Sequence, residues 1–233
     1  MRFRPWAWHS LMGILFLCTS QLSQASVVIG GTRVIYDASK KETSVSISNP
    51  TDAGKSGVFL VQSWVELNDS GDRAPFIVTP PLFRINANQE NILRIVRTGG
   101  TLPEDRESVF WLNVKAIPAA DEGSQNVLQI VMKSRLKLFY RPAGLPGLPV
   151  EAYKQLSFSL NNGRLKVLNP TPYYITFYRL TAGGKEIKEA NLVPPKGSVS
   201  YPLPQGGDGK VVWRTINDYG GISDPETAQL STK

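Results

Sequence analysis

Two side chains in this chain of 233 residues stand out for nucleophilic, general-base or soft-metal chemistry: its one histidine, His9, and its one cysteine, Cys18. Both lie in an N-terminal stretch laid out as a secretory signal. Met1–Arg2–Phe3–Arg4 is a short positive segment, and Leu11–Leu17 is an apolar run too short to cross a bilayer as a helix. Ser23–Gln24–Ala25 then offers small residues at the positions a signal peptidase reads, so cleavage is expected after Ala25. Leu17 precedes Cys18 where a lipoprotein signal requires Gly or Ala, which argues against lipid attachment. The 208 residues that remain hold no His and no Cys. Such a chain has no Ser–His–Asp or Cys–His triad, lacks the usual zinc ligands and forms no disulfide. Paired carboxylates could still serve a glycosidase, but no pair stands out and the acidic residues sit mostly in turn-like segments. The expectation is a protein with no catalytic residue, no metal and no cofactor.

What is left for chemistry is charge. Losing Arg2 and Arg4 with the signal lowers the net charge from +7 to +5, a moderate excess suited to an acidic partner or a carboxylate. Nucleic acid is not an expected partner outside the cytoplasm, and no small-molecule substrate is indicated.

The elements that must position these charges are strands. Thr32–Tyr36, Thr43–Ile47, Val58–Trp64 and Ile92–Val96 alternate apolar and polar residues between turn clusters such as Ser48–Asn49–Pro50 and Gly99–Gly100. Arg141–Pro149 holds three Pro and two Gly in nine residues and continues neither a central strand nor a helix. Beyond it the pattern resumes in Leu156–Leu160, Arg164–Leu168, Tyr174–Tyr178 and Lys210–Arg214, with Asn161–Asn162–Gly163 as a hairpin turn. Trp64, Trp111 and Trp213 are expected in cores. The reading is all-β, two sandwich domains in series: signal 1–25, first domain 26–142, linker 143–149, second domain 150–233.

The stretch Leu102–Pro103–Glu104–Asp105–Arg106–Glu107–Ser108–Val109–Phe110–Trp111–Leu112–Asn113, closing at Pro118, is a charged turn leading into a strand. It resembles the signature of the PapD-like periplasmic pilus-assembly chaperones through about 18 consecutive positions. Val127–Tyr140 resembles the strand that these chaperones lend to an unfinished pilin. Its apolar Leu128, Ile130 and Met132 share one parity, and by periodicity alone they would pack into the sandwich. The resemblance implies instead that they face outward and fill the groove of the subunit.

The resemblance further implies two immunoglobulin-like domains with a cleft between them. Arg33 and Lys137 would hold the pilin's C-terminal carboxylate there, a fork donor plus an ammonium. Lys137 has the opposite parity to Leu128, Ile130 and Met132, so a bulge or twist is expected between them. Glu107, Arg141 and Asp218 would link the domains by salt bridges. The short Ala119–Asn126 loop resembles the subgroup associated with rod-like pili. The implied function is a periplasmic chaperone that binds, folds and caps fimbrial subunits and hands them to an outer-membrane usher. The free chain would cover its exposed strand by pairing with a second copy. A secreted two-domain adhesin or carbohydrate-binding module is the alternative with a similar strand pattern.

Overall fold

The structure is a computed structural model that describes residues 27–50, 57–67, 72–119, 128, 130–207 and 209–232. The proposed signal segment, and all of the Ala119–Asn126 loop except Ala119, lie outside the described residues. Short alternating segments become strands, as period-2 patterning requires when one face of each is to be buried. The first half holds β1 (Val28–Ile29), β2 (Arg33–Asp37), β3 (Glu42–Asn49), β4 (Phe59–Glu66), β5 (Phe76–Thr79), β6 (Leu82–Ile85), β7 (Gln89–Arg97), β8 (Ser108–Pro118) and β9 (Met132–Arg141). They form two facing sheets, of order β1-β3-β7-β5 and β2-β9-β8-β4-β6.

Inward residues of the two sheets interdigitate. Ile47, Leu93 and Ile95 from one meet Val61, Phe110, Leu112 and Leu138 from the other, all at 0–1% exposure. Each side chain buried this way contributes roughly 1.5–3 kcal/mol. A ring cluster of Tyr36, Phe76 and Phe110 fills the centre with edge-to-face contacts at 5.3 and 4.9 Å.

The second half holds β10 (Ser157–Asn161), β11 (Arg164–Asn169), β12 (Ile175–Ala182), β13 (Lys185–Glu186), β14 (Leu192–Val193), β15 (Gly197–Pro202), β16 (Lys210–Thr215), β17 (Glu226–Gln229) and β18 (Ser231–Thr232). Its sheets run β15-β11-β10-β18 and β13-β12-β16-β17, with β14 beside β12. Asn162 and Gly163, with φ of 48° and 71°, make the two-residue turn of the β10–β11 hairpin. Leu165, Val167, Val193 and Val211 form the fully buried centre of a separate core. Trp213 closes it, donating Nε1–H to the carbonyl of Tyr153 at 3.1 Å. Between β9 and β10 the chain has no strand, only a 3₁₀ helix at Pro149–Gln155.

Three sequence expectations change. Val127–Tyr140 was expected to be one long strand, but β9 begins at Met132, and Leu128 and Ile130 lie before it outside any ladder. Val127 and Gln129 are not among the described residues. The expected bulge is also missing from β9, whose antiparallel register with β8 runs unbroken from Ala116↔Met132 to Ser108↔Tyr140. Met132 and Lys137 therefore point to opposite faces of a regular strand. Finally, Trp213 is core, whereas Trp64 and Trp111 lie on the outer face of their sheet. There Lys133 sits 5.0 Å from the Trp64 ring and Arg135 sits 4.3 Å from Trp111. Alternation explains this: Val61, Ser63 and Val65 of β4 point inward, so Trp64 points out.

Candidate functional site

The chain leaves β1 in one sheet and enters β2 in the other, and Gly31, at φ +152°, lies between them. Unlike its antiparallel neighbours, β2 runs parallel to β9. Its register pairs Arg33 with Lys137, so the two cations stand side by side on the outer face of the sheet. Val34 and Tyr36 take the inner face, as do Leu136, Leu138 and Tyr140. The sequence-predicted pair is thus brought together, 104 positions apart in sequence, by strand pairing alone.

Both cations face the second sandwich. Arg33 Nη1 donates to the carbonyl of Ile216 at 2.9 Å, and its Nε is buried with no hydrogen-bond partner. Lys137 Nζ donates to Asn191 Oδ1 at 3.0 Å. Neither forms an ion pair among the described residues. Burial pushes the Arg33 guanidinium below its ordinary pKa, against the pull of Asp218 and Glu107. The Lys137 ammonium is lowered first by burial and then by the charge of Arg33.

Beside Arg33 lies a cavity of about 270 Å³, walled by Arg33 and Phe139 of the first sandwich and by Tyr153, Tyr174, Thr176 and Asn217 of the second.

Glu107, Arg141 and Asp218 also come together. Arg141 donates from Nε to Glu107 Oε1 at 2.6 Å, and from Nη1 and Nη2 to the two oxygens of Asp218 at 2.7 and 2.9 Å. The second Glu107 oxygen accepts the backbone N–H of Tyr174 at 2.7 Å. Glu107 is only 3% exposed. Burial pushes its carboxyl up, and Arg141 and the Tyr174 N–H pull against that. Burial works to lower the Arg141 guanidinium, but its bonds to Asp218 and the Glu107 charge outweigh it and raise the pKa. Two acids around one base, with each lone pair partly matched, is the geometry in which a buried ion cluster is tolerated.

Further contacts join the halves. The Glu107 N–H donates to Pro172 O at 2.9 Å, Lys196 Nζ to Asp105 Oδ2 at 2.7 Å, and the rings of Phe139 and Tyr174 lie 5.6 Å apart. Gly220, at φ 82°, packs where a Cβ would stand 2.8 Å from Thr32 Oγ1, so this approach needs glycine. Sequence reasoning missed Asn191, Ile216, Tyr174 and the Asp105–Lys196 pair. Two of these act through backbone atoms, and the others meet partners 54 and 91 positions away, beyond any local pattern.

The apolar residues before and at the start of β9 are open to solvent: Leu128 at 86%, Ile130 at 66% and Met132 at 52% exposure. β2 joins β9 only from Lys137 onward, so Met132–Ser134 has β8 on one side and no strand on the other among the described residues.

Two family profiles match the chain. "Pili and flagellar-assembly chaperone, PapD N-terminal domain" covers residues 26–146, and "Pili assembly chaperone PapD, C-terminal domain" covers residues 151–227. The chain is 43% identical over 224 residues to the chaperone protein LpfB of Salmonella typhimurium, covering 94% of this chain and 95% of that protein. It is 42% identical over 226 residues to the chaperone protein FimC of Escherichia coli K12, covering 94% and 92%. Among solved structures it resembles the Salmonella enterica SafB chaperone in complex with the SafA pilin. The TM-score is 0.80 at 40% identity, over 88% of this chain and 96% of that one.

Proposed function

The chain belongs to the PapD family of pilus-assembly chaperones, and we propose that it acts through the cleft and the exposed strand just described. Its work is to bind a fimbrial subunit by donor-strand complementation, holding it until assembly. The two immunoglobulin-like domains supply the frame. Leu128, Ile130 and Met132 are the donor residues, entering a subunit groove, while main-chain groups along Met132–Ser134 add hydrogen bonds to the incoming strand. Arg33 and Lys137 hold the subunit's terminal carboxylate, and Glu107, Arg141 and Asp218 fix the angle between the domains.

One observation carries the anchor: two adjacent, half-desolvated cations without an ion-pair partner among the described residues, one with a buried Nε–H that has no acceptor among them. A carboxylate answers both needs with charge-assisted hydrogen bonds. The regular ladder is compatible with both roles on one strand. Met132 shares the face of the sandwich core and Lys137 the face of the cleft, so a strand added along β9 meets the plugs on one side and the anchor on the other.

The setting is the periplasm, reached through the cleaved signal, with delivery to an outer-membrane usher and a covering second copy when no subunit is present. Arg33→Ala or Lys137→Ala is expected to abolish co-purification of the cognate subunit from periplasm while the chaperone stays folded. Normal recovery with either variant would refute the anchor.

A further inference from the structure

The cleft cavity shares a wall with the anchor, because Arg33 lines it. A second polar atom in that wall also lacks a partner. Thr176 is 4% exposed, and its Oγ1 is buried with no hydrogen-bond partner among the described residues. A buried hydroxyl left unmatched is unfavourable, so its partner is to be sought in what enters the cavity. Resting on the anchor reading, we propose that the cavity receives the side chain of the bound subunit's last residue and selects an uncharged polar one of the Asn/Gln class.

Chain geometry leads there first. A terminal carboxylate and the side chain of the same residue leave one Cα, so a carboxylate on Arg33 puts that side chain within reach of the cavity Arg33 walls. Charge then narrows the choice. Within the lining, Arg141 is committed to Glu107 and Asp218, and Lys154 to Glu151. Once the carboxylate has met Arg33, Asp224 is the charge in the wall that forms no ion pair among the described residues. An acidic terminal side chain would meet that carboxylate, and an apolar one would leave the Thr176 hydroxyl unmatched. A side-chain amide offers its oxygen to the Thr176 O–H and its N–H groups to Asp224.

The test uses synthetic peptides of alternating Val and Thr that differ only in the last residue, titrated calorimetrically into the mature chaperone. The Gln-ended peptide is expected to bind about tenfold more tightly than the Asp- or Phe-ended ones, the worth of one good hydrogen bond. Thr176→Val should erase the preference of Gln over Phe, and Thr176→Ser, which keeps the hydroxyl, should retain it. Equal affinity for all three endings in the parent protein would overturn the pocket, as would an unchanged Gln preference in Thr176→Val. A Gln-ended peptide with its C-terminus amidated separates the two ideas. If amidation leaves binding intact, the anchor falls; if amidation abolishes binding while the endings rank equally, the anchor stands and the pocket alone is wrong.

Discussion

Arg33 and Lys137 stand together because β2 pairs in parallel with β9, and the cost of that placement is visible in both groups. Burial disfavours each charge, and for Lys137 the neighbouring guanidinium adds to it. A bound carboxylate reverses the sign by favouring the protonated lysine. The free-state pKa of Lys137 therefore lies below the ordinary lysine range and the complexed value above the free one. Between them binding takes up a proton, so affinity is greatest at neutral pH and falls as pH rises through the free-state value. Calorimetry of subunit-peptide binding in buffers of different ionisation enthalpy is expected to register that proton uptake on the alkaline side. A flat affinity across that range would place the carboxylate elsewhere. Lys137→Arg, whose charge persists at those pH values, is expected to remove the alkaline fall.

At the level of elements, β9 and the residues just before it are assigned two roles: the ladder belongs to the fold, and the exposed residues before and at its start belong to the proposed donor contact. Leu136, Leu138 and Tyr140 hold the sandwich together, and the same parity continues through Met132 to the solvent-exposed Ile130 and Leu128. Substitutions along it should split accordingly. Leu138→Ala, at 0% exposure, is expected to cost about 2–5 kcal/mol in urea unfolding. Ile130→Asp is expected to stay within about 0.5 kcal/mol of the parent while losing subunit capture, since its side chain is exposed. A large drop in stability for Ile130→Asp would put that side chain in the core. Much of this was legible beforehand, because alternation in Thr43–Ile47 or Val58–Trp64 dictates strands and turn residues dictate where they stop. The turn at Asn162–Gly163 is where its residue types require it. What periodicity lacked was the edge of the core. Leu128, Ile130 and Met132 have the same pattern as Leu136 and Leu138, and only the extent of the facing sheet decides which are covered. Trp64 and Trp111 failed for a related reason: large aromatic rings favour burial, but parity sent them outward, where they lie beneath Lys133 and Arg135.

The two sandwiches have separate cores, and their orientation depends on contacts of a different kind. The Glu107–Arg141–Asp218 cluster is the buried ionic one among them, with Arg141 bonded to Asp218 and Glu107 bonded to both Arg141 and the Tyr174 N–H. Its partners are unequal. The Glu107 side chain is 2% exposed and Asp218 31%, so removing them should differ in cost. Glu107→Ala leaves Arg141 partly uncompensated in a buried site and orphans a backbone donor, a loss of about 3–5 kcal/mol. Asp218→Ala, discounted for its contact with solvent, should cost about 1 kcal/mol. Replacing Glu107 removes the crossing bond to the Tyr174 N–H and the pairing that holds Arg141 toward Asp218, and no contact within the hydrophobic core of either sandwich. The expected result is therefore uncoupling: two urea transitions in place of one, and a larger radius of gyration by X-ray scattering as the sandwiches swing apart. A single transition with an unchanged radius would assign the interdomain angle to Asp105–Lys196, Arg33–Ile216 and the Phe139–Tyr174 rings instead. The cluster matters to the cleft as well, because Arg33 and Lys137 belong to one sandwich while Ile216, Asn191 and Thr176 belong to the other. A shift of one sandwich against the other would leave the two cations adjacent but move the cavity wall away from them. In Glu107→Ala, terminal-residue selectivity is therefore expected to fall further than affinity for the carboxylate itself.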